Sequence, residues 1–364
     1  MSIFGTRPEA IKMAPVVIEL QKRQHIFESI VTVTAQHREM LDQVLQVFNI
    51  VPDYDLNIMQ KKQTLADITK RSLEGLDQIM KTAQPDLVLV HGDTTTTFVA
   101  SLAAFYNNIV VGHVEAGLRT WNKQSPFPEE VNRQLTGIIA DLHFAPTEQA
   151  KENLLLENKS SKTIFVTGNT VIDALQTTVA ENYSHPLLQR VGDRRLILMT
   201  AHRRENLGEN MEQMFRAIRQ LVMKHKDIHV VYPVHLNPRV NQIAEFVLGD
   251  HERIDLIAPL ELVDFHNFMN AAYLILTDSG GIQEEAPSLG VPVVVLRDTT
   301  ERPEGIDAGT LKLAGTKETT IFKIVDDLLT NKIAYERMAR AHNPYGDGVA
   351  AQRIVQSIET WFND

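Results

Sequence analysis

The chain has 364 residues, 43% hydrophobic and 23% charged, which is the balance of a soluble globular protein too long for one ordinary core. Against 36 Lys and Arg stand 46 Asp and Glu, and the formal charge of −10 argues against nucleic acid or an anionic membrane as the main partner. Cysteine is absent, excluding disulfides, a thiolate nucleophile and Cys-ligated metal. No apolar stretch approaches the ~20 residues of a membrane span, and the N-terminus has no charged region followed by an apolar one, so a cytoplasmic location is expected.

Short β-rich runs alternate with longer amphipathic stretches. Only residues 1–4 precede Gly5-Thr6-Arg7-Pro8-Glu9-Ala10-Ile11-Lys12, so the first strand is expected to be a stub. Pro8 suits a first helical position, and Arg7 beside a helix N-terminus either grips a phosphate or is a solvated charge. A strand at 30–34 precedes a helix at 39–48, and a strand at 87–90 precedes a helix at 97–106. Between the latter two lies His91-Gly92-Asp93-Thr94-Thr95-Thr96-Thr97, where Asp93 is either a helix cap or a site acid. The strand at 109–111 runs into His113-Val114-Glu115-Ala116-Gly117-Leu118-Arg119-Thr120. Glu115 is alone in an apolar setting, so it is expected either to pair with Arg119 or to lie open in a cleft. Ser125-Pro126-Phe127-Pro128-Glu129-Glu130 then starts a helix out of a proline-bound loop, a common form of site wall. Asp93, Glu115 and Glu129 thus come from successive junctions of one domain. Acid–base chemistry needs such carboxylates close together, so that burial and repulsion separate their pKa values.

A strand at 164–166 closes the first half, and the polar stretch 181–195 is the expected linker. The pattern resumes with a strand at 196–199 that leads into Thr200-Ala201-His202-Arg203-Arg204-Glu205-Asn206. There His202 beside two arginines either meets a phosphate or is structural. A helix at 210–225 and a strand at 229–232 follow, the latter leading to His235, and then a strand at 254–257. The most informative unit comes next: an apolar run at 273–276, Thr277-Asp278-Ser279-Gly280-Gly281, a polar helix from Ile282, Gly290 as its stop, and a strand at 291–296. Two glycines after a serine let backbone N–H groups approach an anion at the positive end of a helix. Glu285, one turn in, suits the two hydroxyls of a ribose. Arg302, in the segment after that strand, is a second candidate diphosphate clamp, and a last helix is expected at 348–362.

Alternation of this kind predicts parallel sheets with crossover helices: an α/β chain of two Rossmann-like domains, with ligands beyond the carboxyl ends of the strands and a cleft between the domains. The expected divisions are 1–180, 190–345 and a tail at 346–364. The 13 histidines show no ligand spacing joined to carboxylates, so no metal is expected. Neither a P-loop nor a Gly-x-Gly-x-x-Gly fingerprint is present.

Together these segments resemble the non-hydrolysing UDP-N-acetylglucosamine 2-epimerases. The resemblance runs through the Gly5–Lys12 segment, His91-Gly92-Asp93, Val114–Thr120, Pro128-Glu129-Glu130, Ala201–Asn206, the 278–287 segment and the 297–304 segment, nearly the whole chain in the family's order. It implies the glycosyltransferase-B architecture, with a C-terminal helix returning to the first domain. It also implies reversible conversion of UDP-GlcNAc to UDP-ManNAc, by anti elimination of UDP to 2-acetamidoglucal and re-addition, without a cofactor. On this reading Ser279, Gly280 and Gly281 hold the diphosphate and Glu285 the ribose. Arg7, Lys12, His202 and Arg302 belong to the substrate and leaving-group side, Phe265 walls the uracil, and Asp93, Glu115 and Glu129 are the acid–base carboxylates. A homodimer serving surface-polysaccharide synthesis is implied as well. So is a second UDP-GlcNAc acting as an allosteric activator near Gln36, His37 and Lys62, although Glu39 stands where glutamine is common.

One departure concerns the start. The family carries several more residues before Gly5-Thr6-Arg7, so either the chain is a truncated product or another element covers the gap, and the place of the first strand is in question. The alternative functions are a hydrolysing 2-epimerase that releases ManNAc and UDP, a glycosyltransferase of the same architecture, and a non-catalytic nucleotide-sugar sensor.

Overall fold

Runs of Val, Ile and Leu separated by amphipathic helices bury both faces of a sheet, which is the condition for parallel pairing. The structure, a computed structural model, describes residues 1–36, 38–60 and 63–363. It falls into two compact units, Met1–Thr177 with Tyr345–Asp364, and Thr178–Pro344.

The first unit runs β1 (Ser2–Phe4), α1 (Arg7–Lys22), β2 (Val31–Val33), α2 (Arg38–Val47), β3 (Tyr54–Asp55), α3 (Leu65–Ala83), β4 (Leu87–His91), α4 (Thr95–Tyr106) and β5 (Val110–Val114). It continues with α5 (Glu129–Ile139), β6 (Leu142–Ala145), α6 (Glu148–Leu156), β7 (Ile164–Val166) and α7 (Thr170–Thr178). Its described strands form one parallel sheet in the order β3-β2-β1-β4-β5-β6-β7. The short first strand is therefore central. Ile3 and Phe4 are fully buried, and Ser2, Ile3 and Phe4 pair with Val31, Thr32 and Val33. Ser2 also pairs with Leu89 on the other side. Three residues suffice because Ile3 lies in a core cluster with Leu76, Val88, Val90, Ala100 and Val111. Strand order reverses between β1 and β4, and in sheets of this kind that point is where ligands sit.

The second unit runs α8 (Pro186–Val191), β8 (Arg195–Thr200), α9 (Glu209–Lys224), β9 (Ile228–Pro233), α10 (Pro238–Leu248), β10 (Ile254–Ile257), α11 (Leu262–Ala271) and β11 (Leu274–Thr277). After these come α12 (Gly280–Glu285), β12 (Val293–Val295), α13 (Pro303–Asp307), β13 (Leu311–Leu313), α14 (Glu318–Thr330) and α15 (Lys332–Ala339). Its sheet, also parallel, has the order β10-β9-β8-β11-β12-β13 and reverses between β8 and β11. Met199, Phe215, Tyr232, Leu276 and Val294 centre its core.

The stretch 181–195 is more than a connector. It carries α8 within the second unit, where Tyr183 donates to Asp264 at 2.5 Å and the His185 ring meets Phe268 edge-on at 5.1 Å. Two isolated aromatic anchors leave no periodicity to read, which is why the stretch looks like a linker. The last helix, α16 (Ala350–Asn363), packs on α1 in the first unit. Asp173 accepts from Ala350 N and Ala351 N at 3.1 and 2.8 Å, satisfying two donors of its first turn. Among the described residues no helix is long and apolar enough to cross a membrane.

Three histidines lie on adjacent strands of the first sheet: His91 on β4, one position past the partner of His113, His113 on β5 and His143 on β6, with His113 and His143 directly paired. All are buried, and His113 Nε2 donates to Gly92 O at 2.7 Å. Burial disfavours the imidazolium and pushes their pKa values down to about 4, 3 and 4 respectively. Because the folded values lie below the unfolded value near 6.5, only the unfolded chain takes up protons as pH first falls. Stability is complete above about pH 6.5 and drains away down to about pH 4 for His91 and His143 and about pH 3 for His113, each ring costing about 1.4 kcal/mol for every tenfold by which folding weakens its hold on a proton. Calorimetric melting at pH 7.5 and pH 5 should show a clear loss of Tm at the lower pH. A flat profile would contradict the burial of these rings in the neutral form.

Candidate active site

In the first unit the loop after β1 is tied to the loop after β4 by one buried carboxylate. Thr6 caps α1 in a capping box with Glu9, whose Oε2 accepts from Gly5 N and Thr6 N at 3.0 and 2.8 Å. Its Oε1 accepts from Thr94 Oγ1 and Thr97 Oγ1 at 2.7 and 3.0 Å. Burial raises the Glu9 carboxyl above its ordinary value, and those donors oppose the shift. This arrangement places the half-buried Arg7 at the start of α1, beside the switch point.

Thr94 also caps α4, accepting from Thr97 N at 3.1 Å. Asp93 is thereby released from capping. Its carboxylate meets Arg133 of α5 at 2.5 Å, and its carbonyl accepts from Asn132 at 2.9 Å. Glu115 follows β5 with φ of 62°, a left-handed backbone unusual for a residue with a side chain. It ion-pairs with Lys12 of α1, accepts from Asn169 at 3.1 Å, and has His91 Nε2 at 3.5 Å. The expected Arg119 partner goes elsewhere: its buried guanidinium grips Glu157 at 2.6 and 2.8 Å. Glu115 is turned by its left-handed backbone onto Lys12, while Arg119, four residues on, faces α6. Gly92 has φ of 68°, and a Cβ there would lie 3.3 Å from Glu115 Oε2, so glycine suits both the backbone and the close approach.

Glu129 is the first residue of α5, half-buried, on the helix that supplies Asn132 and Arg133 to Asp93. Its neighbour Glu130 is fully buried and accepts from Thr120 N and Trp121 N at 3.0 Å each, and from Gln134 at 2.8 Å. That residue pins the 120–121 loop to α5. Arg133, Asn132, Asn169 and His91 were not singled out by sequence reasoning, because each meets Asp93 or Glu115 only through the fold; Glu130 was not, because nothing in the sequence signals its burial. Gln36, of the expected regulatory group, accepts from Thr96 Oγ1 at 3.2 Å. His37 and Lys62 lie outside the described residues.

In the second unit the ends of β8 and β11 are joined by a Thr200–Thr277 hydroxyl bond of 2.6 Å. Ser279 stands at the N-cap of α12, with its N–H donating to Thr277 Oγ1 at 2.9 Å. A Cβ on Gly280 would lie 3.5 Å from Arg302 Cζ, so the guanidinium rests against the glycine at the helix start. Arg302 is aimed by the buried Glu284, which accepts from its Nε at 2.7 Å. Thr300 accepts from Arg302 N at 3.1 Å and donates to Gln283 at 2.6 Å, and Gln283 in turn donates to Ser279 O at 3.0 Å. Glu285 faces His266 Nε2 at 3.7 Å, and His266 Nδ1 shares a 2.6 Å bond with Thr178 Oγ1. Phe265, next to His266 on α11, is half-buried.

His202 follows β8. Its ring stacks on His235 with centroids 5.6 Å apart, and its Nδ1 lies 3.1 Å from Asp278 Oδ1. Arg203 donates from Nε to Asp278 O at 3.0 Å. Nearby, Arg297 grips Glu301 at 2.7 and 2.9 Å and holds that carboxyl down at about 2. The second unit thus gathers Ser279, Gly280, Gly281, Arg302 and His202 around its switch point. A helix start, a guanidinium and an imidazole suit an anionic ligand.

The family model described as UDP-N-acetylglucosamine 2-epimerase matches residues 19–359. The UDP-N-acetylglucosamine 2-epimerase of Bacillus subtilis is 65% identical over 358 residues, covering 98% of this chain and 94% of the relative. A crystal structure of a putative UDP-N-acetylglucosamine 2-epimerase from Listeria monocytogenes superposes with a TM-score of 0.96 at 62% identity, covering 100% of this chain and 96% of that one. The Neisseria meningitidis UDP-GlcNAc 2-epimerase, solved bound to UDP-GlcNAc, gives 0.88 at 50% identity with 99% of each chain covered. The two parallel Rossmann-like sheets place the fold in the glycosyltransferase-B class. With the match extending over nearly all of its length, the chain belongs to the UDP-N-acetylglucosamine 2-epimerase family.

Proposed function

We propose that this chain interconverts UDP-GlcNAc and UDP-ManNAc without net hydrolysis, its second unit holding the nucleotide and its first unit supplying the acid–base groups. The observation that carries the reading is the seating of Asp93 against Arg133 and Glu115 against Lys12, at consecutive strand ends of one sheet. Glu129 opens the helix that carries Arg133. A carboxylate removes the proton from C2 of the sugar while the C1–O bond breaks, its electron pair leaving on the UDP oxygen and a C1=C2 double bond forming. Return of a proton to the opposite face of C2 and re-addition of UDP at C1 completes the epimerisation. Two faces need two proton carriers, which gives more than one carboxylate a task.

The charge that develops on UDP calls for donors fixed in advance. Arg302 is held by Glu284 and His202 faces Asp278, so neither has to be ordered during the reaction. Ser279, Gly280 and Gly281 take the diphosphate, Glu285 the ribose, and Phe265 the uracil; Arg7 and Lys12 complete the sugar and leaving-group side. The chain needs no cofactor on this reading and is placed in the cytoplasm. A second UDP-GlcNAc near Gln36 as activator is part of the same proposal.

A homodimer is proposed on the exposed apolar side chains of two packed helices, Phe105 and Tyr106 at the end of α4 with Leu135 and Ile138 on α5. Light scattering should give about twice the 41.0 kDa chain mass, and a monomer at working concentration would remove this part.

Incubation with UDP-GlcNAc in deuterium oxide, followed by proton NMR, should yield UDP-ManNAc with deuterium at C2. Free ManNAc with stoichiometric UDP would replace the reading with the hydrolysing one, and binding without exchange would leave a sensor. Asp93→Asn, Glu115→Gln and Glu129→Gln should each lower kcat by about 10²-fold or more while UDP affinity persists. Glu285→Ala should instead weaken UDP by about tenfold or more, through loss of charge-assisted hydrogen bonds. Unchanged turnover in all three carboxylate variants would discard their assignment.

A further inference from the structure

We infer that Asp278 is a positioning residue for His202, holding the imidazole by a protonated Nδ1 so that Nε2 is the nitrogen presented to the leaving group. The inference rests on the reading of His202 as a group that meets the charge of the departing nucleoside diphosphate.

Asp278 is fully buried, one residue past β11, and its two oxygens are used differently. Oδ2 accepts from His202 N and Arg203 N at 2.9 Å each and lies 3.3 Å from Asn206 Nδ2. Oδ1 is buried and accepts no well-aligned hydrogen bond from the described residues, and its neighbour is His202 Nδ1 at 3.1 Å. A carboxylate has only lone pairs to offer. With the proton on Nε2, the Nδ1 lone pair would face the lone pairs of Oδ1 across that distance with no water between. With the proton on Nδ1, the buried Oδ1 gains a donor after a small turn of the ring. The backbone bonds from His202 and Arg203 to Oδ2 keep that turn small, since they fix the carboxylate against the very residue whose ring it faces.

The surrounding charges favour an ionised Asp278. Burial pushes its carboxyl up, but the donors from His202 and Arg203 outweigh this and hold it below the ordinary value. Arg203 is itself placed near Glu205 and Glu301, and Arg297 binds Glu301. Beneath lies Tyr232, whose hydroxyl donates to Ala201 O at 2.7 Å and whose ionisation is suppressed by burial and by Asp278. His235, from the loop after β9, stacks on the ring at 15°, and the His202 side chain remains 42% exposed. A ring fixed at Nδ1 and flanked on one face has one free nitrogen. With Nδ1 engaged by Asp278, Nε2 is the nitrogen left to meet an oxygen of the departing phosphate.

Side-chain 15N–1H spectra of the full chain test this directly, with His202→Gln identifying the His202 signals. The wild type should show His202 as the Nδ1–H tautomer or doubly protonated. In Asp278→Asn, an amide N–H facing Nδ1 should move the ring to the Nε2–H form. The same variant should lose about 10- to 100-fold in kcat with UDP affinity nearly unchanged, and the Asp278→Asn, His202→Gln double variant should be no slower than His202→Gln alone. An Nε2–H tautomer in the wild type overturns the inference, as does a double variant in which the two losses multiply. The tautomer is read without turnover, so it decides even where Asp278→Asn fails to fold. It also separates this inference from the epimerase reading, which falls if C2 exchange is absent.

Discussion

A buried carboxylate that takes backbone and side-chain donors from two adjacent strand ends is the constraint on which both halves of this molecule depend. In the first unit Glu9 draws together Gly5 and Thr6 after β1 and the threonines after β4. In the second, Asp278 draws together the end of β11 and His202-Arg203 after β8. Parallel strands end with unsatisfied N–H groups and loops that would otherwise wander. At a point where strand order reverses, two such loops diverge and leave a crevice. One acceptor shared between them fixes the width of that crevice before any ligand arrives.

The two units use this frame for different chemistry. Around Asp278 the neighbouring groups are donors: the start of α12, Arg302 and His202. Around Glu9 the outlying groups are carboxylates held by cations, Glu115 by Lys12 and Asp93 by Arg133. A donor-rich site retains an anion, and a carboxylate-rich site moves protons. On the proposed function one chain carries both because epimerisation by elimination requires the leaving group to be kept while the sugar carbon is turned over.

Much of the fold was legible because strand and helix periods are local properties. The Val and Leu runs at 87–90 and 291–296 and the amphipathic stretches between strands announce parallel sheets. The place of β1 was not legible: three residues carry no period, and its central position follows from Ile3 meeting Leu76, Val88 and Val111. Among candidate site residues, those at strand ends were nominated because parallel α/β sheets place ligands there. Their partners were not. Arg119 was one of two readings for Glu115, by proximity in sequence, the other being an open carboxylate; Glu157 takes Arg119, and Lys12, 103 positions away, takes Glu115. Asp93 could be read as a cap or as a site acid, and Thr94 caps the helix instead. Glu130 reads as one more charge at a helix start, and only its full burial shows that it pins a loop.

The left-handed backbone of Glu115 is held at a cost. A residue with a Cβ held at φ of 62° sits about 1 kcal/mol or more above its relaxed alternatives, and the position is one that glycine occupies at little steric cost. Glycine at 115 would relieve that strain but would also remove the carboxylate that Lys12 and Asn169 hold, so the polar contacts of the side chain offset the cost of its backbone.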